Sequence, residues 1–132
     1  MRMIEVGEYT RAEDELSALL VDGASADRAT IFNKRGVARV HLGRRAEALS
    51  DFAAALEIRP GFAPALVNIG NILLEEGDLE GAIGQYEAAL RSDDRYRIAH
   101  LNLGVALKKL GRHADAVRAF RRADRFRRRE RR

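Results

Sequence analysis

Apolar and small positions along the chain follow two superposed periods. At short range they fall three and four residues apart. In IAHLNLGVALKKL (Ile98–Leu110), Leu101, Leu103, Val105, Leu107 and Leu110 give the spacing of an amphipathic helix. In HADAVRAFRRADRF (His113–Phe126), Ala116, Val117, Phe120 and Ala123 fall on one helical face. At long range the pattern returns every 34 residues, in five columns: Gly36, Gly70 and Gly104; Gly43, Gly77 and Gly111; Ala48, Ala82 and Ala116; Phe52, Tyr86 and Phe120; Ala55, Ala89 and Ala123. A period of this length, with two helical stretches per unit, predicts a helical-repeat array. In such an array each repeat touches only its neighbours.

The punctuation agrees. Gly111 directly follows the first stretch, where a glycine in the left-handed conformation ends a helix cheaply. Gly104 instead lies mid-helix, at a cost of about 1 kcal/mol relative to alanine. Repetition of that cost at positions 36, 70 and 104 predicts a close helix–helix contact. Ala48, Ala82 and Ala116 are expected across from the glycines, with the aromatics filling the wider gap one turn on. Pro60 marks the end of a second helix, since proline cannot continue one. Asp94 and Arg128 stand at the equivalent places and predict less sharply defined ends. Residues 7–20, GEYTRAEDELSALL, read as an unpaired second helix: Gly7 and Ala12 repeat the spacing of Gly43 and Ala48, and Leu16, Leu19 and Leu20 continue the apolar face. Val21–Asp27 reads as a loop, with Asp27 as N-cap of the next helix.

These residues resemble the tetratricopeptide repeat, strongest in the middle unit (Leu66, Ile69, Gly70, Leu73, Gly77, Ala82, Tyr86, Ala89). The resemblance implies an all-α fold, a right-handed superhelix of helix-turn-helix repeats. The expected division is a half-repeat at 1–28 and repeats at 29–62, 63–96 and 97–130 in a single domain. Arg35 and Arg39 replace large apolar residues in the first repeat, which implies a looser core there. In this family the first helix of each unit lines a concave groove. By resemblance the inward positions are Lys34, Asn68 and Asn102, then Val37, Asn71 and Val105, then Val40, His41, Leu74, Glu75, Lys108 and Lys109.

Asn68 and Asn102 recur at the repeat spacing although asparagine competes for backbone hydrogen bonds in a helix. Two readings stand: a ladder that pairs with the backbone of an extended peptide, similar to that of some family members, or a structural bond to a neighbouring helix. The carboxylate clamp of other family members lacks its cations, because Asn33, Val37, Ile98 and Asn102 occupy its remaining places.

Charge adds an asymmetry. The chain of 132 residues carries a formal +4, yet residues 112–132 hold ten arginines against Asp115, Asp124 and Glu130. Arg118, Arg121, Arg122, Arg125, Arg129 and Arg132 follow helical spacing and form a basic stripe. It suits a solvated capping face, a contact with nucleic acid or an acidic partner, or an anionic membrane surface. There is no cysteine, no apolar leader in MRMIEVGEYT and no stretch of about 20 apolar residues, so a soluble cytoplasmic protein is expected. His41, His100 and His113 lack metal-ligand spacing, and no nucleophile or phosphate-loop motif occurs. The expectation is a non-enzymatic scaffold, without cofactor or metal, that binds another protein or a peptide segment. Homo-oligomerisation through the N-terminal half-repeat and nucleic-acid binding through the arginine run are the alternatives.

Overall fold

The computed structural model describes residues 2–23 and 27–130, with side chains through Arg127. Among the described residues there are seven helices and no strand: α1 (Met3–Asp22), α2 (Arg28–His41), α3 (Arg45–Ile58), α4 (Ala63–Glu75), α5 (Leu79–Ser92), α6 (Arg97–Lys109) and α7 (His113–Glu130). None of these helices is long and apolar enough to cross a membrane. The fold is an all-α helical repeat. The chain divides into two compact units, residues 1–65 and 66–132, with the division in the first turn of α4.

The repeated turn is one hydrogen-bonded motif. After α2, Gly43 adopts φ 77°; its N–H donates to Val40 O at 3.0 Å and the Arg44 N–H to Arg39 O at 2.8 Å. The same pair of bonds recurs at Gly77 and Asp78, and at Gly111 and Arg112. This is the Schellman closure, and only glycine enters the left-handed region at its corner without strain. Asp27 caps α2 by accepting from the Thr30 N–H at 3.3 Å. α3 ends at Ile58, with Arg59 extended before Pro60. Asp94 stands just past α5 and Arg128 inside α7, which runs 18 residues against 14 for α3 and α5. α1 departs from the turn-based reading: Gly7 lies inside a continuous helix that starts at Met3, and the helix persists to Asp22 before Gly23 terminates it.

The mid-helix glycines are seats for aromatic rings. A Cβ on Gly36 would lie 2.5 Å from the Phe52 ring; on Gly70, 2.6 Å from Tyr86; on Gly104, 2.6 Å from Phe120. The alanines at 48, 82 and 116 are buried, but it is the aromatic one turn further along that fills the notch. Helical side chains lean toward their own N-terminus, so the ring reaches back over the preceding turn and onto the glycine. The expected pairing of small residue with small residue is therefore corrected to glycine with aromatic. Val117 and Leu110 also turn outward, although the periodicity placed them on apolar faces.

Within the first unit, Arg35 and Arg39 do not loosen the core. Asp51 on α3 is only 2% exposed. Arg35 clamps it with two bonds, Nε to Oδ2 at 2.9 Å and Nη2 to Oδ1 at 2.7 Å, and reaches Ser17 Oγ on α1 at 3.2 Å. Arg39 donates to Asp51 at 3.1 Å and to the buried Glu13 of α1 at 2.9 Å, while Arg44 donates to Glu13 at 2.5 Å. Charge-assisted bonds thus join α1, α2 and α3 where hydrocarbon was expected. The bonds from Arg44 and then Arg39 hold the Glu13 carboxyl below its ordinary value, against a smaller opposing effect of burial.

Two outcomes follow. Gly70→Ala drives a methyl into a fully buried ring and is expected to lower stability by about 1–3 kcal/mol, whereas Gly84→Ala, in an exposed helical position with open space around it, gains about 0.5–1 kcal/mol; urea denaturation of the two variants reads the opposite signs. Because Glu13 is more acidic folded than unfolded, its contribution is complete above the ordinary carboxylate range and is lost as pH falls through the lowered folded value. Denaturation midpoints over an acid series should decline less steeply for Glu13→Gln, which starts from lower stability at neutral pH.

Candidate functional site

In the second unit, α4 and α6 bring two of the expected groove residues, Asn71 and Asn102, together. The Tyr86 ring, seated on Gly70, carries its hydroxyl to Asn71, where it donates to Oδ1 at 2.6 Å. Asn102 Nδ2 donates to the same oxygen at 2.8 Å. Burial, reinforced by the negative charge of Glu75, pushes the Tyr86 phenol up to about 12. The hydroxyl therefore keeps its proton and acts as a donor, which fixes the orientation of the Asn71 carboxamide. Asn71 Nδ2 and Asn102 Oδ1 make no further hydrogen bond among the described residues. Both side chains are half-buried. The pair thus offers an unused donor beside an unused acceptor, the two needs of a peptide backbone.

The flanks of the pair are apolar and then basic. Ile98, 46% exposed, and Val105, 37% exposed, lie one turn before and one turn after Asn102. Lys109 continues that stripe, and Lys108 stands beside it; both are exposed. Asn68 is half-buried on α4 and is itself engaged in an interaction. Sequence reasoning missed Tyr86 as the residue that orients Asn71, and it did not count Ile98 as a contact surface. The spacing of Gly70, Asn71 and Tyr86 held the signal, because the residue after a seat glycine lies near the tip of the seated ring.

In the first unit Lys34 is exposed on α2. His41 stacks on Tyr9 of α1, ring centroids 4.3 Å apart and nearly parallel, so its ring is committed to joining α1 and α2. His100 is buried, with Nε2 2.8 Å from Asp94 O and its ring against Phe126. Along α7, Arg118, Arg121, Arg122 and Arg125 are exposed. Arg118 pairs with Asp115, which also accepts from Arg112. Arg132 and the Arg129 side chain lie outside what the structure describes.

Comparison with known proteins follows the same lines. The tetratricopeptide repeat family profile matches residues 4–62 and 67–129. Among solved structures, MamA superposes with a TM-score of 0.77 at 20% identity, over 96% of this chain and 73% of MamA. The second repeat domain of Spaghetti (RPAP3), bound to the HSP90 peptide SRMEEVD, gives 0.68 at 21% identity, over 73% of this chain and 89% of its own. YrrB, described as having an unusual peptide-binding site, gives 0.70 at 24% identity; this chain matches over 91% of its length and spans 61% of YrrB.

Removal of the orienting hydroxyl has a defined signature. Tyr86→Phe is expected to cost about 1 kcal/mol at neutral pH, the net worth of one hydrogen bond. A phenol at 10.0 unfolded and about 12 folded contributes stability that is present below the lower value and lost as pH rises toward the higher one. Alkaline denaturation across that window should therefore be shallower for the variant than for the parent.

Proposed function

The chain belongs to the tetratricopeptide repeat family, and we propose that it is a non-catalytic interaction module that holds an extended segment of another protein against the α4–α6 face. The oriented pair of Asn71 and Asn102 carries this reading. Hydrogen bonding to main-chain groups gives affinity without regard to side chains, as when a peptide adds to a sheet edge. Ile98 and Val105 then offer apolar contacts on either side, and Lys108 and Lys109 favour a ligand with acidic residues toward the end of α6. The peptide complex of RPAP3 and the peptide-binding site of YrrB support a ligand of this class. The reading keeps 29–62, 63–96 and 97–130 as the repeat units and draws its contacts from the last two.

Asn71→Asp separates recognition from structure. The new carboxylate still accepts from Tyr86 and Asn102, so the fold is retained, but the outward N–H donor is gone. With a peptide selected on the parent chain from a random display library, the variant should bind about tenfold more weakly or worse, the equivalent of one lost hydrogen bond. Equal affinity would show that the pair is purely structural. Failure of the library to yield any binder competed by soluble peptide would remove the function itself.

A further inference from the structure

Two helices of this chain carry exposed faces that complement each other. On α7, Val117, Phe120, Arg121, Asp124 and Arg125 line one shallow depression of ≈ 480 Å³. Val117, Arg121, Asp124 and Arg125 follow helical spacing on the face turned away from the buried Ala116, Ala119 and Ala123, and the Phe120 ring borders that face from the core side. Val117 is 46% exposed. Phe120 is half-buried although seated on Gly104, whereas Phe52 and Tyr86 in the equivalent seats are fully covered. The face is therefore an apolar floor with a basic rim, and Arg121 and Arg125 make no ion pair among the described residues.

α1 presents the opposite character. Its inner side, Tyr9, Glu13, Leu16 and Ser17, is at least partly covered. A separate stripe of Ile4, Glu8, Glu15, Leu19 and Asp22 is exposed, with Ile4 at 76% and Leu19 at 41%. Glu8, Glu15 and Asp22 make no ion pair among the described residues. By sequence α1 holds six acidic residues against Arg11, and α7 holds seven arginines against three acidic residues.

We propose that the outer face of α7 docks α1 of a second copy of this chain, the two helices antiparallel, with Leu19 covering Val117 and Phe120, and Glu15 and Glu8 opposing Arg121 and Arg125. A nucleic acid would satisfy the arginines but would leave the apolar floor uncovered and set phosphate against Asp124. The α1 stripe answers both the charge and the floor. The contact joins different faces of the two copies, and each copy carries both faces. It uses neither Asn71 nor Asn102 and stands independently of peptide binding. The rim charges are exposed, so association weakens as salt screens them.

Sedimentation velocity on the full chain tests this. The parent should show mass rising with concentration and falling with added salt. Arg121→Glu with Arg125→Glu, and separately Glu8→Arg with Glu15→Arg, should each remain monomeric while retaining the parent's helical circular dichroism. An equimolar mixture of the two variants restores opposite charges across the contact and should associate again. A monomeric parent at every concentration, a charge-reversed variant that associates as strongly as the parent, or a mixture that stays monomeric would each overturn the proposal.

Discussion

A ring packed on a bare helical backbone is the contact on which this structure depends. At Gly36, Gly70 and Gly104 the absence of a side chain lets an aromatic come within the distance a Cβ would occupy. The helices of each pair can then approach closely, and the small residues around the ring (Ala48 and Ala55, Ala82 and Ala89, Ala116 and Ala123) are all buried. The glycine sacrifices about 1 kcal/mol of helix propensity at each seat. Burial of the aromatic ring, complete at Phe52 and Tyr86 and worth on the order of 2–3 kcal/mol there, outweighs that cost. The middle seat differs from the others by one atom. Tyrosine at 86 gives its ring a hydroxyl, where Phe52 and Phe120 have none. The contact that sets helix spacing thereby also orients Asn71, and the candidate site is tied to the core beneath it.

The layers around these seats are filled in two ways. The columns that hold Arg35 and Arg39 in the first repeat hold Ile69 and Leu73 in the second, then Leu103 and Leu107 in the third. On the opposing helix the column of Asp51 continues as Gln85 and Ala119. Guanidinium with carboxylate on one layer thus becomes leucine with alanine on another. The exchange works because both partners change together. A buried charge without its partner costs several kcal/mol, while a complete ion pair and a hydrocarbon contact are often of similar net worth. The first repeat departs from the family's pattern without losing its packing, and in doing so it ties α1 to α2 and α3 through Glu13 and Ser17.

The proposed function divides recognition between two kinds of contact. In it, carboxamides address groups that every peptide carries, and Ile98, Val105, Lys108 and Lys109 address the side chains that distinguish one peptide from another. The exposed positions can vary without touching the seats. A scaffold whose core residues are fixed by packing and whose face is free to change suits a family that binds many partners.

From the sequence alone came the helices, their pairing into repeats, the turns at Gly43, Gly77 and Gly111, the cap at Asp27 and the position of Asn71 and Asn102 on the first helices of their repeats. These depend on interactions a few residues apart: hydrogen bonds of one helical turn, the φ that only glycine tolerates, and the three-and-four spacing of apolar positions. The tertiary structure decided what fills each glycine notch, which carboxylates meet Arg35 and Arg39, that Gly7 does not end a helix, and that Val117 faces outward. It also decided which atoms of Asn71 and Asn102 remain unused. Each of those depends on the direction and reach of a side chain from another helix, 12 to 31 residues away in the chain. Periodicity says which residues share a face, but it does not say which atom of a distant partner that face will meet.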